Sequence, residues 1–173
     1  MRYFNGFSLC NEEDFFKEQL IESDYAVAGF SYGAQKAFEY VYNSTKRVDR
    51  LILISPAFFQ NHKKSFIKTQ LRYFKSDKES YTKQFLQNVA SPSSIDLSSY
   101  VREGIYEELE SLLSYVWEKE RVLELLERGV SIEVFMGDRD KIVDFEKSYE
   151  FFSELVPVYL FKGRGHLLLP HLT

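Results

Sequence analysis

The sequence predicts an α/β protein: a mainly parallel sheet flanked by helices, with a helical cap inserted after the strand that ends near Ser55. Three observations predict it. Short apolar runs alternate with amphipathic helical stretches, the pattern of strand–helix–strand units. The alternation is interrupted once, from about Phe58 to Arg128, by helical periodicity with no convincing strand. Residues able to do chemistry fall in the loops that follow the apolar runs, where parallel sheets bind ligands.

Met1–Phe4 is a short apolar opening closed by the turn signal Asn5-Gly6. Glu12–Ile21 reads as a helix with Phe15, Phe16, Leu20 and Ile21 on its buried side. Asp24–Phe30 is a buried strand. Gly33–Tyr42 is a helix, with Ala34, Ala37, Phe38 and Val41 at three- and four-residue spacing. Arg50–Ser55 is a second buried strand, stopped by Pro56. Gly129 ends the last helix of the insertion, as glycine commonly does just past a helix end. Val130–Met136 is a strand, Phe145–Leu155 a helix, and Val156–Phe161 a final strand that runs into Lys162-Gly163-Arg164-Gly165-His166. The expected unit is one domain over 1–173, with a core of 1–57 and 129–173 and a cap of about 58–128.

The bulk composition narrows the classes. The chain has 173 residues, 45% hydrophobic and 17% aromatic, with 16 Phe and 12 Tyr, enough for a packed core. Its net charge of −4 argues against general affinity for nucleic acid. One cysteine, Cys10, allows no internal disulfide. Three scattered histidines and that cysteine make no structural zinc site. The first residues lack the apolar stretch of a signal peptide, and no run of about 18 apolar residues could span a membrane. A cytoplasmic location is expected.

Gly29-Phe30-Ser31-Tyr32-Gly33 lies between an apolar strand and an Ala-rich helix. A nucleophile on so sharp a strand-to-helix turn sits in a strained backbone conformation, and residues two places away must lack side chains. Ser31 would also face free N–H groups at a helix start. The competing reading is a glycine-flanked turn with a serine helix cap. Serine needs a base, and the base an orienting carboxylate. His166, in the Gly-rich loop after the last strand, is the candidate base. His62 sits in the insertion and His171 two residues from the end. Asp138, Asp140 and Asp144 offer the carboxylate.

Together, Asn5-Gly6-Phe7, the Ser31 motif, Gly137-Asp138-Arg139-Asp140-Lys141-Ile142-Val143 and Gly165-His166 resemble the α/β-hydrolase superfamily, over about residues 1–57 and 129–171. Within it the chain looks like the short carboxylesterases of biotin synthesis that cleave pimeloyl-acyl-carrier-protein methyl ester. The resemblance implies a triad of Ser31, His166 and Asp140, with Asp138 the alternative acid. It implies an oxyanion hole of the Phe7 and Tyr32 N–H groups, and no cofactor or metal. Most relatives carry extra strands before the Asn5-Gly6 loop and a further strand and helix after it. Only about 17 residues separate Phe7 from Tyr25, so the sheet is expected to be trimmed to four or five strands.

The insertion carries an uneven charge. His62–Lys78 holds six basic residues against Asp77, a net +5 in a chain of −4. Lys64, Lys68, Arg72 and Lys75 share one helix face, and Ile67, Leu71 and Phe74 another. A basic face suits an acidic partner, and acyl carrier protein is the partner the resemblance implies. A solvated face and a membrane-surface helix are the other readings. Tyr100–Arg128 is acidic, with Leu109, Leu112, Leu113, Val116, Leu123 and Leu126 expected to pack. Phe58, Phe59, Phe66 and Tyr73 are expected along the path of an acyl chain. An acyl thioesterase or general short-chain esterase would use the same triad; an inactive hydrolase fold kept as a binding module is the non-enzyme reading.

Overall fold

In the computed structural model, which describes residues 1–171, five parallel strands form one sheet in the order β1-β2-β3-β4-β5. They are β1 (Arg2–Phe4), β2 (Ala26–Phe30), β3 (Arg50–Ile54), β4 (Ser131–Gly137) and β5 (Val158–Phe161). The three inner strands are the most apolar because both their faces are covered. β2 is buried at every position, while the edge strands β1 and β5 have no fully buried residue. The fold is thus an α/β sheet of the trimmed size expected.

Side chains alternate between two layers. Val27, Leu51, Leu53, Val134 and Met136 meet α1 (Tyr32–Asn43), α5 (Lys119–Glu127) and α6 (Phe145–Ser153), through Ala34, Ala37, Phe38, Val41, Val122, Leu125 and Phe152. Ala28, Phe30, Ile52 and Ile54 face the other way. They are covered by Phe16, by Val89 and Ala90 at the end of α3 (Lys78–Ala90), and by Leu97, Leu167 and Leu168.

The link from β1 to β2 crosses the second layer, whereas α1 and α6 cross the first. All the strands step sideways in one direction, so the first connection has the hand opposite to the others, against the strong rule for parallel units. The short link returns β2 directly beside β1, paired in parallel.

The link is not the expected helix over Glu12–Ile21. Only Glu12–Phe16 is helical, as a 3₁₀ turn. Phe16 is buried and Phe15, Leu20 and Ile21 pack partly beneath it, so the buried side is as read from the sequence. At the start of that turn Glu12 points inward and accepts the Gly6 N–H.

The insertion is helical, with α2 (Lys64–Ser76), α3, a 3₁₀ turn at Ser98–Tyr100, α4 (Tyr106–Ser114) and α5. Ala90 at the end of α3 and Leu125 of α5 are built into the two sheet layers, and α2 packs on α3 and α4. Leu109, Leu112 and Leu113 are buried. Val116 and Leu123, expected to pack, are exposed. The chain breaks between Ser114 and Lys119, which resets the helical phase, and Trp117, Val122 and Leu125 take the packing positions instead. Among the described residues no helix is long and apolar enough to cross a membrane.

Candidate active site

Ser31 lies between β2 and α1 with φ 55° and ψ −115°, a conformation that costs a non-glycine residue free energy. The surroundings hold it there. Its N–H donates to the Ile54 carbonyl at 2.9 Å, and its own carbonyl accepts from Ala34 at 3.1 Å and Ala57 at 3.1 Å. The flanking glycines are required by close approach. A Cβ on Gly29 would stand 2.1 Å from the Gly33 carbonyl oxygen, and one on Gly33 would stand 1.9 Å from that of Phe4. Ser31 is the N-cap residue of α1, yet its hydroxyl makes no capping bond and has no hydrogen-bond partner.

His166 is wholly buried and follows β5. Its Nδ1 lies 2.6 Å from Asp140 Oδ2. The other oxygen of Asp140 accepts the N–H groups of Ile142 at 2.7 Å and Val143 at 3.0 Å. Asp138 instead accepts from Gly163 N–H at 2.6 Å, and Asp144 caps α6 by accepting from Lys147 N–H at 3.2 Å. The Phe30 ring lies 4.8 Å from the imidazole, centroid to centroid. His166 Nε2 has no partner. A buried imidazole with one nitrogen tied to a carboxylate and the other free is suited to accept a proton.

Phe7 and Tyr32 are buried in one cluster with Ala57, Phe59 and the α4 leucines. Among the described residues neither backbone N–H has a hydrogen-bond partner. Tyr32 opens α1, where free N–H groups and the helix dipole favour negative charge.

The other sequence candidates are scattered. His62 stacks on Phe66 at 4.2 Å, and His171 is exposed. Lys64, Lys68, Arg72 and Lys75 are all exposed on α2, away from the buried face formed by Leu71 and Phe74. Phe59, Phe66 and Tyr73 line a cavity of about 390 Å³ beneath the cap, whose wall includes Lys141 and Ile142, directly after Asp140. Phe58 does not line it; it packs on Phe151 and Phe152 of α6. A larger groove of about 920 Å³ runs along the opposite side of α3, and Ser31, Asp140 and His166 line neither the cavity nor the groove.

Three side chains around the site went unread in the sequence. Ser55, with φ 41°, donates from its hydroxyl to the His166 carbonyl at 2.7 Å. Gln35 donates to the carbonyls of Ala57 at 3.0 Å and Leu112 at 3.1 Å, tying α1 to the cap. Glu12 bonds the loop before Phe7. Gln35 stands one helical turn after Ser31, a spacing that could have flagged it. An acidic residue at a helix start is ordinarily solvated, so nothing marked Glu12.

The chain has the α/β-hydrolase fold. Its structure is similar to MenH from S. aureus, with a TM-score of 0.64 and 13% identity over 95% of this chain and 85% of that one. It is similar to BioG from Haemophilus influenzae, with a TM-score of 0.60 and 11% identity over 95% of this chain and 87% of that one. It is also similar to a bromoperoxidase from Bacillus anthracis, with a TM-score of 0.65 and 17% identity, where 83% of this chain covers 60% of the longer protein. No protein-family model and no curated protein sequence matches the chain.

Proposed function

We propose that the chain is a serine carboxylesterase that hydrolyses the methyl ester of pimeloyl-acyl-carrier protein, giving the free carboxylate and methanol in biotin synthesis. Ser31 is the nucleophile, His166 the general base and Asp140 the group that orients it. His166 takes the hydroxyl proton as Ser31 Oγ attacks the ester carbonyl. The Phe7 and Tyr32 N–H groups receive the oxyanion. Methanol leaves with the proton from His166, and a water activated by the same imidazole frees the acid.

The observation that carries this reading is the coincidence of a strained, uncapped Ser31 with a buried His166 whose Nδ1 is held by Asp140 at 2.6 Å. The acyl substrate is supported by the aromatic cavity under the cap. The carrier protein, an acidic partner, is supported by the exposed face of Lys64, Lys68, Arg72 and Lys75, which form no salt bridge among the described residues. Such a substrate sets the enzyme in the cytoplasm.

The test is methanol released from pimeloyl-acyl-carrier-protein methyl ester by wild type and Ser31→Ala. Release that vanishes in the variant is expected. Wild-type inactivity on this ester, with Ser31-dependent cleavage of a p-nitrophenyl ester, would keep the triad and leave a general short-chain esterase. Activity untouched by Ser31→Ala would overturn the mechanism.

A further inference from the structure

Glu12 is wholly buried at the start of the 3₁₀ turn. Its Oε1 accepts the Gly6 N–H at 2.6 Å and the Tyr3 hydroxyl at 3.4 Å, while Oε2 has no partner. Burying a carboxyl group costs free energy, and an apolar side chain would fill the space more cheaply. What the carboxyl adds is an acceptor for a backbone N–H two peptides from the strand end. Among the described residues this is the only side-chain hydrogen bond to the backbone of Asn5–Ser8.

Gly6 stands between two peptide groups. The Asn5–Gly6 peptide is held by Glu12. The Gly6–Phe7 peptide has its carbonyl bonded by Leu9 N–H at 3.3 Å. Because a trans peptide is planar, that carbonyl direction aims the Phe7 N–H the opposite way, unbonded. Only the two dihedrals of Gly6 link the peptides, and glycine is the residue that turns most freely. With Gly6 N–H released, the bond left on the Gly6–Phe7 peptide is the longer one from Leu9 N–H at 3.3 Å, and the Phe7 N–H is held less firmly in its direction. Downstream, Ser8 and Asn11 each have φ 58°, and the Ser8 carbonyl accepts from Arg102 N–H at 2.9 Å. Two left-handed non-glycine residues persist only where contacts over-determine them.

We infer that Glu12 is a positioning residue for the oxyanion site, holding the Gly6 N–H so that the Phe7 N–H stays fixed and free. This rests on Ser31, Phe7 and Tyr32 forming the reacting centre.

The test is steady-state hydrolysis of p-nitrophenyl butyrate by the intact chain, with sites counted by burst titration, for wild type, Ser31→Ala, Glu12→Leu and Glu12→Gln. Glu12→Leu is expected to lower kcat per titrated site by roughly tenfold to a hundredfold with KM within about twofold, less than outright loss of a donor. Glu12→Gln, whose amide oxygen can accept the same N–H, recovers most of that loss. Should the leucine variant not fold, Glu12→Asp carries the test: it keeps the carboxyl group, draws the oxygen back by one methylene and is expected to lose kcat likewise. A kcat unchanged in Glu12→Leu or Glu12→Asp overturns the inference, as does Glu12→Gln falling as far as leucine. Hydrolysis that survives Ser31→Ala overturns the reacting centre itself. Loss in Ser31→Ala with none in Glu12→Leu overturns only the role of Glu12.

Discussion

Asp140 grips His166 with one oxygen and the backbone of Ile142 and Val143 with the other, so the carboxylate that meets the imidazole is itself fixed by the chain. Asp138, two residues earlier, spends its carboxylate on Gly163 N–H. The two therefore separate by mutation. Asp140→Asn leaves the shape intact but presents the wrong partner to Nδ1–H, and kcat is expected to fall by about 10⁴. Asp138→Asn loosens the Gly163 turn and costs stability on the order of 1 kcal/mol, with a much smaller effect on kcat. Measured kcat values in the reverse order would reassign the acid.

Gly33 carries a stability prediction. The atom nearest an added Cβ is the Phe4 carbonyl oxygen at 1.9 Å, with that of Asn5 at 2.6 Å. These are backbone atoms of β1 and its loop, so no side chain can swing aside. Gly33→Ala is expected to cost about 3 kcal/mol and lower Tm by roughly 10 °C. Calorimetry that places the variant within 2 °C of wild type would show that α1 and β1 are not so tightly apposed.

The basic face of α2 predicts a change in preference between substrates. Reversing Lys64, Lys68, Arg72 and Lys75 to Glu should lower kcat/KM for an ester on acyl carrier protein relative to that for p-nitrophenyl acetate by at least about tenfold, chiefly through KM. Added salt should lower the wild-type ratio in the same sense, because exposed charges are screened. A ratio indifferent both to charge reversal and to salt leaves a solvated helix face.

Much of this was legible in the sequence because strands buried on both faces are continuous apolar runs. The positions of β2, β3 and β4 follow directly from that, and the α1 face from Ala34, Ala37, Phe38 and Val41. Boundaries moved where periodicity had no phase marker: nothing in the leucine pattern records that the helix stops at Ser114 and restarts at Lys119. The meeting of Asp140 with His166 joins the ends of neighbouring strands β4 and β5, which strand order makes close. Glu12 was illegible for the opposite reason. Its partner Gly6 lies on the far side of a turn, and a buried acid cannot be told from a solvated one by residue type.

That burial carries a last prediction. Burial raises the Glu12 carboxyl above the ordinary range; the Gly6 N–H and Tyr3 hydroxyl oppose this, and Glu13 adds to it. Folded, Glu12 thus holds its proton to higher pH than in the unfolded chain. At pH below the ordinary carboxylate value both states are protonated and the contribution is constant. As pH rises from there through the raised folded value, the folded state keeps a proton that the unfolded chain has shed, so unfolding free energy falls. Glu12→Gln has no such proton, while Tyr3 and Glu13 remain in both proteins. The difference in Tm, variant minus wild type, should therefore climb from about pH 4 toward pH 8, starting near the ordinary carboxylate range. Thermal melts across that span check it. A difference flat with pH would mean that Glu12 titrates alike folded and unfolded, and that its carboxylate reaches water.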